Sequence, residues 1–239
     1  SRSRRSRRER SERALTTNLQ RWFWVQLAHW CHVLHQTDTA IKYYGLALES
    51  GPDDPQILAS MGYEFLQAGR KREAFAAFDR AVAIRPDWAE VHFGRGMLLQ
   101  EFNDHDAALQ AFDLAVSANP NHDRALYGKA LSLISLKRLD EAIPPLERNT
   151  KLQPMSPYGW YQLGRVQFER GKPEKTQAII DRLAKFEPKV AAQLARETGL
   201  ELAVRSGGHS VAGHSVSDGG IVLDLRGMRA LDIDVQRRT

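Results

Sequence analysis

The stretch with the most chemical character in this 239-residue chain is Arg205-Ser206-Gly207-Gly208-His209-Ser210. Two consecutive glycines let backbone amides turn toward an anion and let a phosphate approach the main chain closely. A second candidate is His29-Trp30-Cys31-His32-Val33-Leu34-His35. Cys31 and His35 stand four apart, a spacing that on a helix can share a metal ion. A third set binds rather than reacts: Trp22, His29, Tyr63, Phe93, Met97, Tyr127, Tyr161 and Phe168 recur as an aromatic and methionine-bearing row. Such a row suits the anchoring of a partner's peptide segment.

The elements that must position these residues follow from a row of prolines. Pro52, Pro86, Pro120, Pro154 and Pro188 recur every 34 residues. Ala40, Ala74, Ala108 and Ala142 keep the same register, with Thr176 in the fifth place. Tyr44, Phe78, Phe112, Leu146 and Ile180 form a second column, and Ala28, Gly62, Gly96, Ala130 and Gly164 a third. A period of this length, with a small residue in the first helix, a small-then-aromatic pair in the second and a closing proline, resembles the tetratricopeptide repeat (TPR) family.

The resemblance implies an all-α, right-handed solenoid of five helix-turn-helix repeats at residues 21–54, 55–88, 89–122, 123–156 and 157–188. In repeat two the apolar spacing predicts a first helix over Pro55–Leu66 and a second over Arg72–Ile84, with Gly69 breaking the first. Small residues at Gly62 and Ala74 let the paired helices approach closely. One repeat cannot bury its own apolar face, so neighbours must stack.

In this fold the first helices line a concave face. Its columns hold Trp22, Val25, His29 and His32, then Tyr63 and Leu66, then Phe93, Met97, Tyr127, Leu131, Ile134, Tyr158, Tyr161 and Phe168. The family members that clamp acidic chaperone C-termini use lysine and asparagine in these places. Here Val25, His29, Ala59 and Tyr63 stand there, so a ligand with apolar or aromatic anchors is expected. Cys31 falls in the buried column of Phe65, Leu99 and Leu133, whereas His29 and His32 point to the groove. The set diverges, so no metal site is assigned and Cys31 is read as a core residue.

Irregularities gather toward the end of the array. Pro144 and Pro145 sit inside a second helix, where each removes a donor and crowds the preceding turn, so a kink is expected there. Asn149 replaces the small residue seen at Ala47, Ala81 and Ala115. Lys189–Thr198 reads as a capping helix with Val190, Ala191 and Leu194 facing inward, stopped by Gly199. Composition then shifts to Gly, Val and Ser, with Leu202–Val204 and Ile221–Leu225 as strand candidates and Gly219-Gly220 as a turn.

From about Val190 to Thr239, LAVRSGGHSVAGHSVSDGGIVLDLRGMRALDID resembles the flavin-binding half-domain of FAD-linked oxidases of the berberine-bridge-like group. The resemblance implies that Ser206, Gly207, Gly208, Ser210 and Gly213 line the loop around the FAD pyrophosphate. His209 would be the residue joined covalently to the flavin, with His214 near it. Asp224 and Met228 match the strand and turn that follow. The substrate domain and the family's catalytic tyrosine or acid have no counterpart, so a fusion remnant, or a chain cut at Thr239, is expected. Two readings stand: an interaction scaffold binding a partner peptide, and an FAD-dependent oxidoreductase or a fragment of one.

Charge adds little. The net charge of +5 is that of Ser1–Arg13, with seven arginines and two glutamates; the rest of the chain is neutral. Residues 1–20 are expected to form a disordered arm, a solvated leader or an electrostatic contact for nucleic acid or an acidic surface. Residues 189–239 follow the repeats as cap plus partial flavin segment. A single cysteine excludes an intramolecular disulfide and is compatible with a reducing, cytoplasmic setting. The N-terminus shows no signal-peptide pattern, and no apolar run reaches the ~20 residues of a membrane span.

Overall fold

A computed structural model describes the backbone from Arg2 to Glu201 and the side chains from Thr17 to Glu201. The Arg205–His214 loop, both predicted strands and the Gly219-Gly220 turn lie outside the described residues. Within them the regular structure is helical: α1 (Arg2–Val33), α2 (Thr37–Glu49), α3 (Pro55–Gln67), α4 (Lys71–Ile84), α5 (Ala89–Glu101), α6 (His105–Ala118), α7 (Asp123–Ser135), α8 (Leu139–Leu152), α9 (Pro157–Glu169), α10 (Pro173–Leu183) and α11 (Pro188–Thr198). The chain divides into two compact units, Ser1–Ser132 and Leu133–Thr239.

The helix ends are set by local chemistry. Asp54 caps α3 by accepting from the amides of Gln56 (2.9 Å) and Ile57 (3.3 Å), with Pro55 in the first turn. Asp104 caps α6 through the amide of Ala107 at 3.0 Å. Every first helix ends in the same way, on a left-handed residue. His35, Gly69, Asn103, Lys137 and Gly171, spaced by the 34-residue period, have φ of 55°, 74°, 63°, 61° and 71°. At each, the amide bonds back three residues and the next amide five, as in Lys137 to Ile134 (3.0 Å) and Arg138 to Leu133 (2.8 Å). This is the Schellman closure, which satisfies carbonyls the helix end would orphan.

In Ser1–Ser132, the aromatic of each second helix packs into glycine hollows on the first helices that flank it. A Cβ on Gly62 would stand 2.5 Å from Phe78, and one on Gly94 3.0 Å from it. Phe112 sits likewise between Gly96 (2.6 Å) and Gly128 (2.5 Å). Both rings are fully buried, each worth ~1.5–3 kcal/mol of transfer free energy. Two ion pairs repeat in register at the rim, Arg95–Asp79 at 2.6 Å and Lys129–Asp113 at 2.5 Å.

The arginine-rich arm departs from expectation. Its backbone is helical and continuous with α1 rather than disordered. Composition decides whether a segment can bury apolar surface. Extending a helix that already exists needs only good helix formers, and arginine is one.

In Leu133–Thr239, α8 runs unbroken through Pro144 and Pro145. Pro145 and Asn149 are buried, and Asn149 Oδ1 fills the space where a Cβ on Gly159 would come within 2.2 Å. Thr176, fully buried in the alanine column, donates its hydroxyl to the Gly164 carbonyl at 3.1 Å. Of the residues read as facing inward, Ala191 and Leu194 are fully buried and Val190 is half-buried, and Leu194 occupies the hollow above Gly164.

Candidate interaction site

The predicted row divides between the units. On the first, α1 carries Trp22, 60% exposed, and His29, exposed with its ring perpendicular to that of Tyr44 and the ring centres 6.0 Å apart. Tyr63 and Met97 occupy one column of consecutive repeats and remain 38% and 46% exposed. Tyr63 lays its ring edge-on to Phe78 and donates its hydroxyl to the Glu90 carbonyl at 3.2 Å. Burial, then the nearby Glu90 carboxylate, raises the pKa of this phenol, which stays a neutral donor.

Phe93 corrects the sequence reading. Placed on the open row by its column, it is buried among Ala108, Phe112, Ala115 and Ala125. The residues around it decide this: His122 lies against its ring at 5.0 Å, and the Arg124 guanidinium sits 4.7 Å over it. Tyr127, further along, is half-buried.

Glu90, His122 and Arg124 were not predicted, and they join Tyr63 to Phe93. His122, buried at the start of α7, accepts the Ala125 amide on Nδ1 at 3.2 Å. That bond leaves the ring proton on Nε2, which lies 3.3 Å from Glu90 Oε1. Arg124 Nη2 approaches Glu90 Oε2 at 3.5 Å. The signal was available in the sequence: Glu90 and Arg124 are opposite charges 34 residues apart, so they occupy the same column of neighbouring repeats. Together these groups make a surface with two apolar anchors beside a half-exposed carboxylate and an exposed guanidinium. It can bind; nothing in it is arranged as nucleophile and base.

On the second unit, Tyr161 is not a free anchor. Its hydroxyl donates to Glu197 of α11 at 2.7 Å and accepts from Gln193 at 3.1 Å. Desolvation and the bond to Glu197 raise its pKa, and the same bond lowers that of Glu197. Phe168 remains 38% exposed in a cleft with Arg165, Glu169, Glu197 and Thr198.

The remaining candidates separate. Cys31 packs beside Trp24 and Tyr43 on the core of Ala28, Ala40, Tyr44 and Ala47. His32 turns away and bonds the buried Glu64 through Nδ1 at 2.5 Å. Among the described residues no group of three or more His, Cys, Asp or Glu is placed to hold a metal ion. No described helix is long and apolar enough to cross a membrane. The flavin-type residues Ser206, Gly207, Gly208, His209, Ser210, Gly213 and His214 lie outside the described residues.

A family model of the tetratricopeptide repeat matches residues 34–89 and 93–157, about half of the chain. The chain belongs to the tetratricopeptide repeat family. Solved TPR solenoids agree in fold. A MamA crystal structure superposes with a TM-score of 0.65 at 18% identity, over 75% of this chain and 94% of that one. YrrB, described as a TPR protein with an unusual peptide-binding site, gives 0.66 at 19% identity over 72% and 90%.

BBSome complex member BBS4 of Bos taurus is 23% identical over 153 residues, 64% of this chain and 30% of that protein. A family model of the FAD binding domain matches residues 187–239. (R)-6-hydroxynicotine oxidase of Paenarthrobacter nicotinovorans is 52% identical over 44 residues, 18% of this chain and 10% of that enzyme. The chain thus spans less than a third of the length of these two relatives.

Proposed function

We propose that this TPR protein is an interaction scaffold whose first-helix face in residues 21–132 takes a segment of a partner protein. The observation that carries this reading is the pair Tyr63 and Met97, open in the same column of consecutive repeats and flanked by Glu90 and Arg124. Apolar anchors one repeat apart match an extended or helical segment with two apolar side chains, and Arg124 favours an acidic residue between them. Trp22, His29 and Tyr127 extend the surface. Phe93 supports it from beneath, and in the other unit Phe168 offers a separate anchor. YrrB, a fold neighbour described as peptide-binding, supports the same reading.

The test is selection of short random peptides on the immobilised protein, followed by titration of the selected peptides against variants. Tyr63→Ala with Met97→Glu should weaken binding by at least roughly tenfold, with the circular dichroism spectrum unchanged. Peptides that bind this variant and the parent alike would overturn the reading.

A second reading rests on the match of residues 187–239 to the FAD binding domain family. Here the segment belongs to a flavoprotein, with Ser206, Gly207, Gly208, Ser210 and Gly213 around the FAD pyrophosphate, His214 beside them, and His209 as attachment residue. Bound FAD would supply the electron-accepting chemistry. An absorbance spectrum of the purified protein and of its acid-precipitated pellet tests this. Flavin colour in the pellet, lost in His209→Ala, supports covalent attachment; colourless protein expressed with added flavin rejects cofactor binding by this chain.

A further inference from the structure

The first helix of the array leaves open a face that every later first helix buries. In repeats two to four, the columns of Phe23 and Trp30 hold Ile57 and Glu64, Val91 and Leu98, and Ala125 and Ser132, all buried. A preceding second helix packs against four of them, whereas Glu64 bonds His32 of α1 and Ser132 accepts from Gln100 of α5. Ile57 packs with Ala40, Tyr44 and Ala47 of α2. Val91 and Leu98 pack with Ala74, Ala77, Phe78 and Ala81 of α4, and Ala125 with Ala108, Phe112 and Ala115 of α6. On α1, Phe23 is 49% and Trp30 65% exposed, and Leu19 and Leu34 stand open beside them.

We propose that this face of α1 is a docking surface, distinct from the Tyr63–Met97 site, for an amphipathic helix of a partner protein. That helix presents alanine-sized residues to Phe23 and Trp30 and carboxylates to the arginine-rich start of α1.

The internal repeat supplies the chemistry of the occupant. What covers these columns elsewhere is a helix whose apolar stripe is built on alanines at turn spacing around one aromatic, Phe78 in α4 and Phe112 in α6. Phe23 and Trp30 are larger than their counterparts, so the covering stripe must be small for the helices to approach. Charge fixes the rest. Ser1–Arg13, whose backbone continues α1, carries a net +5. A helix long enough to follow α1 past Leu19 is therefore favoured if acidic there. The α1 of a second copy offers neither an open alanine stripe nor carboxylates. It would set ring against ring, and arginine run against arginine run if parallel.

The probe is a fluorescein-labelled peptide with the sequence of Lys71–Ile84, which covers Val91 and Leu98, carrying Phe78→Ala because α1 has Gln26 where α5 has the Gly94 hollow, followed by a run of glutamates. Neighbouring helices joined by a short connection run antiparallel, so the glutamates belong at the peptide's C-terminus, opposite Arg2–Arg13. Anisotropy should show saturable binding that weakens with salt and with omission of the glutamates. It should fall by roughly tenfold or more in Phe23→Glu/Trp30→Glu and persist in Met97→Glu. Both substituted side chains are open, so the double variant should keep the parent's melting temperature.

Absence of saturable binding, or equal affinity for the double variant, would overturn the proposal. Failure of the peptide to bind, with phosphatidylglycerol vesicles binding the parent but not the double variant, would assign the face to a lipid surface instead. Sedimentation showing a dimer abolished by Phe23→Glu/Trp30→Glu would assign it to a second copy.

Discussion

Substituting Lys137 by glycine should stabilise the protein, although it removes a side chain and adds backbone freedom. Lys137 closes α7 at φ 61°, the left-handed position that Gly69 and Gly171 fill in other repeats. A residue with a Cβ pays ~1–2 kcal/mol to sit there. Glycine removes that strain but gives back ~0.5–1 kcal/mol through its more flexible unfolded chain. The exposed Lys137 side chain buries little, so the net gain should be about 0.5–1 kcal/mol. With a urea m-value of ~2 kcal/mol/M, the midpoint of the far-ultraviolet transition should rise by roughly 0.3–0.5 M. His35→Gly should behave alike, and Gly171→Ala should lose about 1 kcal/mol. Asn103→Gly should change less, because asparagine tolerates this region. The two Schellman bonds at each turn are made by the backbone and survive every substitution. A lowered midpoint for Lys137→Gly, together with an unaffected Gly171→Ala, would refute the strain argument.

Other substitutions test the packing and the cap. Gly96→Val should cost at least about 1–3 kcal/mol in thermal melts, because even a Cβ there would stand 2.6 Å from the buried Phe112 ring. Pro144→Ala should stabilise α8 by up to ~3 kcal/mol by restoring an amide donor inside the helix, whereas Pro145→Ala should gain less because its ring is buried. Glu197 has its pKa lowered from 4.5, first by the bond from Tyr161. Its contribution to docking α11 is therefore full above about that pH and is lost as pH falls through the depressed value. Protection factors in α11, taken relative to the intrinsic exchange rate at each pH, should fall over that acid range in the parent, and Tyr161→Phe should flatten the dependence.

Much of the fold was legible because the 34-residue columns are themselves packing instructions. The predicted first helix Pro55–Leu66 is observed as Pro55–Gln67, and the second, Arg72–Ile84, as Lys71–Ile84. Small and aromatic columns fix which helices touch and where. Phe93 was misread because its burial is decided by a neighbour. Its column also holds Val25, Tyr127 and Tyr161, all half-buried, and Ala59, buried like Phe93; over the Phe93 ring the Arg124 guanidinium and the His122 ring close the site. Lys137 showed no turn signal, since lysine does not favour positive φ, and the modest enrichment of histidine in that region did not mark His35. The backbone bonds around them hold that conformation, and a residue-by-residue reading does not contain those bonds.

The helix at the junction sets a limit on how the repeats and the flavin-type segment can coexist. The FAD binding domain match begins at residue 187, so it includes α11. Yet the apolar stripe of α11 is spent on the repeats: Ala191 and Leu194 are fully buried, Ala195 is 6% exposed, and Glu197 and Gln193 hold Tyr161. A flavin-type sheet that needed the same stripe would have to undock α11 and reopen the hollow above Gly164. Exposing Leu194 alone would cost ~1.5–3 kcal/mol. A sheet content with the outer side of the helix, where Lys189 and Arg196 are exposed, would leave the cap in place. Leu194→Ala separates these arrangements. Where the two modules compete for one stripe, it loosens the cap and releases α11; where they use opposite sides, it weakens the cap and leaves any flavin binding unchanged.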